Sequence, residues 1–262
     1  MKNKIKDKVV VITGASRGIG LAMAEEISRQ GGVVYDISRT IQPHQCMKKS
    51  FACDVNDTDK MAEILQEIAK NEGKIDVFIN NAGFGIAGAV EKTKKENFYK
   101  QVETNLSAVM ALSGLAIQYL KESKGKLINI SSVAGIIPIP YQSAYSATKA
   151  GIENFSRALA NEVKSYGIKV TAILPGDTKT GFTNARVVDG QDSQADKAIA
   201  KFANDEQKGM SPESVAKVCL KVIKRKNPPL RVTVGFGYKT LVFLTRLIGT
   251  RGVNFIVRKL YM

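Results

Sequence analysis

An apolar run, Val9-Val10-Val11-Ile12, passes directly into Thr13-Gly14-Ala15-Ser16-Arg17-Gly18-Ile19-Gly20, after which residues 21–29 carry helical periodicity. Strand, glycine turn and helix in immediate succession are the first unit of a parallel α/β sheet. Gly14 permits a tight turn, Gly18 lets a pyrophosphate approach the backbone, and Gly20 allows close helix packing. The helix N-terminus offers unpaired N–H groups to phosphates. The spacing here is G-x-x-x-G-x-G rather than G-x-G-x-x-G. A dinucleotide site is therefore expected, with an ordinary βα turn as the alternative.

The remaining chain alternates as a doubly wound sheet requires. Strands are predicted over residues 9–13, 33–38, 48–53, 77–80, 126–130, 169–174 and 231–234, and helices over 57–71, 95–123, 144–166 and 212–224. At 262 residues the chain can bury one substantial core. The one candidate flexible stretch is 187–207, which is polar and rich in Asp, Gln, Asn and Ala.

Tyr145 and Lys149 lie four residues apart in a predicted helix, and Ser132 precedes them. On one helix face, an ammonium favours phenolate formation and brings a phenol of ordinary pKa about 10 nearer to neutrality. Such a tyrosine can serve as a proton donor. Alone, the pair also reads as a surface contact.

Taken together, Thr13 to Gly20, Asp54-Val55, Asn80-Asn81-Ala82-Gly83, Asn105, Asn129-Ile130-Ser131-Ser132, Tyr145 to Lys149 and Pro175-Gly176 resemble the short-chain dehydrogenase/reductase family in order and spacing. The resemblance runs over most of residues 7–181. It implies a single Rossmann-like α/β domain over 1–237, a doubly wound parallel sheet of about seven strands in the order 3-2-1-4-5-6-7, with ligands at the carboxyl ends. It also implies an oxidoreductase that interconverts a carbonyl and a secondary alcohol, with Asn105, Ser132, Tyr145 and Lys149 as the catalytic set. Tyr145 exchanges the proton, Ser132 holds the oxygen, Lys149 bonds the nicotinamide ribose and favours the phenolate, and Asn105 holds Lys149 through a water. The spacing to Tyr145 selects Ser132 over Ser131. The region 187–207 becomes a mobile cover over the substrate site.

The cofactor contacts implied are Gly14, Ser16, Arg17, Gly18, Ile19 and Gly20 in the turn, Ser38 and Arg39 after strand 2, and Asp54 and Val55 after strand 3. Asn81, Ala82 and Gly83 line the adenosine side, Tyr145 and Lys149 meet the nicotinamide ribose, and Pro175, Gly176, Thr178 and Thr180 pass the carboxamide. An acidic residue ending strand 2 would bond both ribose hydroxyls, whereas an arginine would pair with a 2′-phosphate. Ser38 followed by Arg39, with Arg17 in the turn, favours NADP(H) over the alternative NAD(H); Asp36 lies too far back to be the ribose ligand. Asp177 and Lys179 depart from the family pattern by placing charges beside the nicotinamide path.

Phe84, Ile137, Ile139, Tyr141 and Phe182 are expected to form an apolar substrate pocket, suited to a lipid-like, steroid-like or bulky ketone or alcohol. Ordinary packing is the competing account of these side chains. Cys46, Cys53 and Cys219 show no metal-ligand spacing and His44 is the only histidine, so no metal site is expected and the thiols read as free. Residues 1–8 alternate charges without a signal-peptide apolar region, and a cytoplasmic body is expected.

Of the net charge of +15, the stretch from Ser214 onward carries +11, with eleven Lys or Arg and no acidic residue. Within residues 238–262, apolar side chains alternate with Lys239, Arg246, Arg251, Arg258 and Lys259. A basic amphipathic helical appendage is expected there, lying either on an anionic membrane surface at the inner face of a membrane or against protein as a subunit contact or lid. Without an aromatic stacking platform beside the cations, nucleic acid is not an expected partner. A homodimer or homotetramer is expected. A nucleotide-binding regulator or membrane-associated interaction protein retaining the fold is the alternative to an enzyme.

Overall fold

The computed structural model describes residues 5–190 and 192–262. In chain order the elements are β1 (Val9–Thr13), α1 (Gly18–Arg29), β2 (Val33–Ser38), β3 (Lys49–Ala52), α2 (Thr58–Glu72), β4 (Val77–Asn80) and β5 (Ile86–Ala87). They continue with α3 (Lys95–Val102), α4 (Ala108–Ser123), β6 (Lys126–Ile130), α5 (Ser143–Glu162), β7 (Lys169–Leu174) and β8 (Val187–Val188). The last are α6 (Ser193–Gln207), α7 (Pro212–Lys224), β9 (Arg231–Thr233) and α8 (Phe236–Tyr261). The main sheet is seven-stranded and parallel in the order β3-β2-β1-β4-β6-β7-β9, the expected topology.

Burial on both faces explains why β1 reads as a continuous apolar run. Its side chains alternate: Val10 and Ile12 pack with Met23 and Ile27 of α1 and Val215 and Cys219 of α7. Val9 and Val11 face Met61 and Leu65 of α2, Leu112 of α4 and Leu159 of α5. The sheet order reverses between β1 and β4, which opens a crevice at their carboxyl ends.

Three local features differ from the sequence reading. The helix expected over 95–123 is interrupted by a π-helical turn at Glu103–Ser107, between α3 and α4. Residues 187–207, expected to be flexible, contain β8, which pairs with β5, and α6, capped by the Asp192 carboxylate on the N–H groups of Gln194 and Ala195. The C-terminal segment is helical, but Gly249, at φ 65° and ψ 175°, breaks α8 into two pieces. Val242, Val253 and Val257 dock α8 onto the body, each burial contributing about 1.5–3 kcal/mol. The appendage is thus also a packed part of the body.

Candidate active site

The turn after β1 is held from both sides. Asp36, buried on β2, accepts hydrogen bonds through Oδ1 from the Ala15 N–H at 2.8 Å and the Ser38 hydroxyl at 2.7 Å. From β4, the Asn81 amide donates to the carbonyls of Thr13 and Gly14 at 3.0 and 2.9 Å, and the N–H groups of Asn81 and Ala82 donate to Thr13 Oγ1. Gly14 adopts φ +70°, and a Cβ at Gly20 would collide with the Gly14 carbonyl oxygen. Only glycine lets α1 start this close under the turn.

A cavity of about 700 Å³ extends from this turn across the carboxyl ends of the strands. Ser16, Arg17, Gly18, Ile19, Ser38, Arg39, Asp54, Val55, Gly83, Pro175, Gly176, Thr178 and Thr180 line it together with Gly14, Gly20, Asn81 and Ala82. These residues fit a dinucleotide: bare glycine backbone for phosphates, a helix N-terminus beneath it, and the exposed cations Arg17 and Arg39 at the β2 end.

Beside that groove, Ser132 leaves β6 with extended backbone and its Oγ accepts the Ala134 N–H at 3.1 Å. Tyr145 and Lys149 project from one turn of α5, and the Lys149 ammonium lies 5.6 Å from the Tyr145 ring centre. Lys149 Nζ donates to the Ile130 carbonyl at 2.9 Å, while the neighbouring Ser131 hydroxyl donates to the Lys149 carbonyl at 2.7 Å. Ser131 therefore secures α5 to β6, and Ser132 is the serine on the Tyr145 hydroxyl.

Asn105 occupies the π-helical turn and is buried. Its side chain bonds both backbone groups of Phe84, accepting the N–H at 3.0 Å and donating to the carbonyl at 2.8 Å. A Cβ on Gly83 would lie 3.1 Å from Asn105 Oδ1 and 3.8 Å from Lys149 Nζ, so the bare Gly83 lies between the two groups. Single π-turns inside helices frequently mark functional sites.

Burial dominates the electrostatics. It pushes the Tyr145 phenol up to about 12, with the Ser132 hydrogen bond pulling the other way and the Glu206 carboxylate adding to the rise. Burial lowers the Lys149 ammonium to about 8. The phenol is therefore raised and not lowered, because its own burial outweighs the Ser132 hydrogen bond, while the Lys149 ammonium gives its hydrogen bond to the Ile130 carbonyl. Neutral Tyr145 is a hydroxyl donor at neutral pH.

The far end of the cavity is apolar. Phe84, Ile137, Ile139 and Phe182 line it as expected, Phe182 at 5.8 Å between ring centres from Tyr145. Tyr141 does not line it. Its φ of +61° turns it toward Phe202 and Tyr261, and its hydroxyl donates to Gln194 Oε1 at 3.3 Å. The opposite wall is supplied by α8 through Leu241, Ile248, Val253, Ile256, Val257 and Leu260, in keeping with the lid alternative for the C-terminal helix, although sequence reasoning named none of these residues as pocket residues. The alternation of apolar and basic residues in α8 was the available signal. Asp177, expected beside the nicotinamide path, lines the cavity, and Glu206 is a cavity residue that sequence reasoning missed. Among the described residues, no group of three or more His, Cys, Asp and Glu forms a metal site.

The sequence matches the short chain dehydrogenase family over residues 8–190. It is 36% identical over 239 residues to 3-ketodihydrosphingosine reductase from Bacteroides thetaiotaomicron, covering 88% of this chain and 89% of that one. It is 34% identical over 186 residues to the 3-oxoacyl-[acyl-carrier-protein] reductase FabG of Escherichia coli, covering 68% of this chain and 76% of that one. The crystal structure of a short-chain dehydrogenase from Streptomyces avermitilis superimposes with a TM-score of 0.81 at 26% identity, over 91% of this chain and 92% of that one. Glycine turn, sheet order and relatives agree: the chain is an oxidoreductase that belongs to the short-chain dehydrogenase family.

Proposed function

We propose that the protein is an NADP(H)-dependent reductase that interconverts a ketone and a secondary alcohol on a long apolar substrate. The observation that carries this reading is the single cavity joining Ser132, Tyr145 and Lys149 to an apolar chamber walled by Phe84, Ile137, Ile139, Phe182 and α8. The nicotinamide, when bound, supplies or accepts hydride at the substrate carbon. Ser132 holds the carbonyl oxygen, Tyr145 delivers a proton to it, and Lys149 binds the cofactor ribose and replenishes the proton with Asn105 behind it. Arg39 and Arg17 would hold the 2′-phosphate. Asp36 supports this choice, since it is buried beneath the turn, bonded through Oδ1 to Ala15 and Ser38, and does not line the cavity.

The name of the Bacteroides relative makes 3-ketodihydrosphingosine the first substrate to test. Lengthening the alkyl chain of a ketone series should raise kcat/KM for NADPH oxidation, because each further methylene buried in the chamber contributes about 0.8 kcal/mol. A flat series would count against an apolar chamber.

The same reading places a cytoplasmic enzyme on an anionic membrane surface. The outer side of α8 exposes Phe236, Phe243, Leu247 and Phe255 beside the exposed Lys239, Arg246, Arg251, Arg258 and Lys259. The helix is long and apolar enough to cross a membrane by length and composition, but its break at Gly249 and its cavity-lining face favour lying on the surface. A homodimer or homotetramer is proposed too, with the exposed Val102 and Met110 on α3 and α4 as contact residues.

A further inference from the structure

Asp177 and Glu206 line the same cavity as Tyr145. Glu206 is fully engaged. Its Oε1 takes the Arg186 guanidinium, buried between the rings of Phe182 and Phe202, and its Oε2 takes the Thr183 hydroxyl at 2.5 Å. Asp177 differs. Its Oδ2 accepts the Tyr238 hydroxyl at 2.5 Å; among the described residues, Oδ1 has no hydrogen-bond partner and no Lys or Arg forms an ion pair with the carboxylate.

The Tyr238 brace is built into the backbone. A Cβ on Gly176 would collide with the Tyr238 ring, so the first turn of α8 can press onto the loop after β7 only because position 176 is bare. The result is a carboxylate fixed in the wall of the cavity that also holds Tyr145, with one oxygen left open and the other carboxylate there, Glu206, already neutralised by Arg186. An acidic substrate is repelled there. A cationic group next to the reacting carbonyl would supply the missing partner through a charge-assisted hydrogen bond.

We propose that Asp177, held by Tyr238, is the specificity residue of this cavity and pairs with a protonated primary amine adjacent to the ketone of a long-chain amino ketone. This rests on the ketone-reductase reading above and names its substrate class. The amine takes no part in bond making: hydride adds to the carbonyl carbon, the Tyr145 proton to its oxygen, and the ammonium stays intact.

The test compares NADPH oxidation on 3-ketodihydrosphingosine with its counterpart lacking the amine and with its N-acetyl derivative. Wild type should favour the free amine in kcat/KM by about 10- to 100-fold, the range of one charge-assisted bond. Asp177→Asn should bring that ratio close to one, Asp177→Glu should partly restore it, and Tyr238→Phe should lower it by a smaller factor. An Asp177→Asn protein that reduces both ketones with the wild-type ratio overturns the proposal and leaves the reductase reading standing. If wild type reduces none of the three, both fall. Should Asp177→Asn not fold, wild type decides: decylamine should inhibit about 10-fold more tightly than 1-decanol, and equal inhibition would overturn the assignment.

Discussion

Tyr145 and Lys149 are set one helical turn apart, and burial raises the pKa of the first and lowers that of the second. With the phenol near 12, the neutral hydroxyl needed for ketone reduction is already populated at pH 7, whereas alcohol oxidation needs the phenolate. The oxidative rate should therefore climb with pH, by up to about tenfold per unit, while the reductive rate does not climb. Rate profiles from pH 6 to 10 in both directions check this; parallel profiles would assign the proton elsewhere. Tyr145→Phe should retain NADPH binding in a fluorescence titration and lose nearly all turnover. Ser132→Ala should cost about 10² to 10⁴ in rate, as other carbonyl-oxygen donors do. Ser131→Ala loses only the hydroxyl that ties α5 to β6, so it should act chiefly on stability. At the cofactor, Arg39→Ala should reduce the preference for NADPH over NADH by about 10- to 100-fold, the loss of one charge-assisted contact. Unchanged preference would point to Arg17 or to an NAD enzyme.

Elements long enough to show their period were legible in the sequence: β1 through its apolar run and glycine turn, and α7 over the very residues expected. The strand order and the juxtaposition of Ser132, Tyr145 and Lys149 followed from the family resemblance. What stayed hidden has local causes. The π-turn at Asn105 adds one residue to a helical ring without disturbing the apolar pattern around it, so 95–123 reads as one helix. Strands β5 and β8 have two residues each, too few for an alternation. Gly249 looks like a tolerated helix glycine, and only its backbone angles reveal the break. Its φ and ψ belong to a region essentially restricted to glycine, so Gly249→Ala should cost about 1–3 kcal/mol and shift the second half of α8. A lower Tm together with a raised KM for long-chain ketones is the expected outcome. An unaltered KM would show that the chamber does not depend on the bend.

At the scale of the whole molecule, charge and function are segregated. The stretch from Ser214 onward carries +11 of the net +15, and five of those cations lie on α8, whose other face lines the apolar end of the cavity. Cations near an anionic surface contribute about 1 kcal/mol each, so flotation with phosphatidylserine vesicles should show binding at low salt that falls steeply as salt rises. No binding at low salt would leave the outer face of α8 to a subunit contact. A helix with its outer face on lipid and its inner face on the chamber would let an apolar substrate enter without crossing water. The central claim is that Tyr145 protonates an apolar ketone while NADPH reduces it. Single-turnover reaction of NADPH with 3-ketodihydrosphingosine, followed at 340 nm with the alcohol quantified by mass spectrometry, tests it most directly. One alcohol per NADPH consumed by wild type, and almost none by Tyr145→Phe with NADPH still bound, is the predicted result; comparable alcohol formation by both proteins would contradict it.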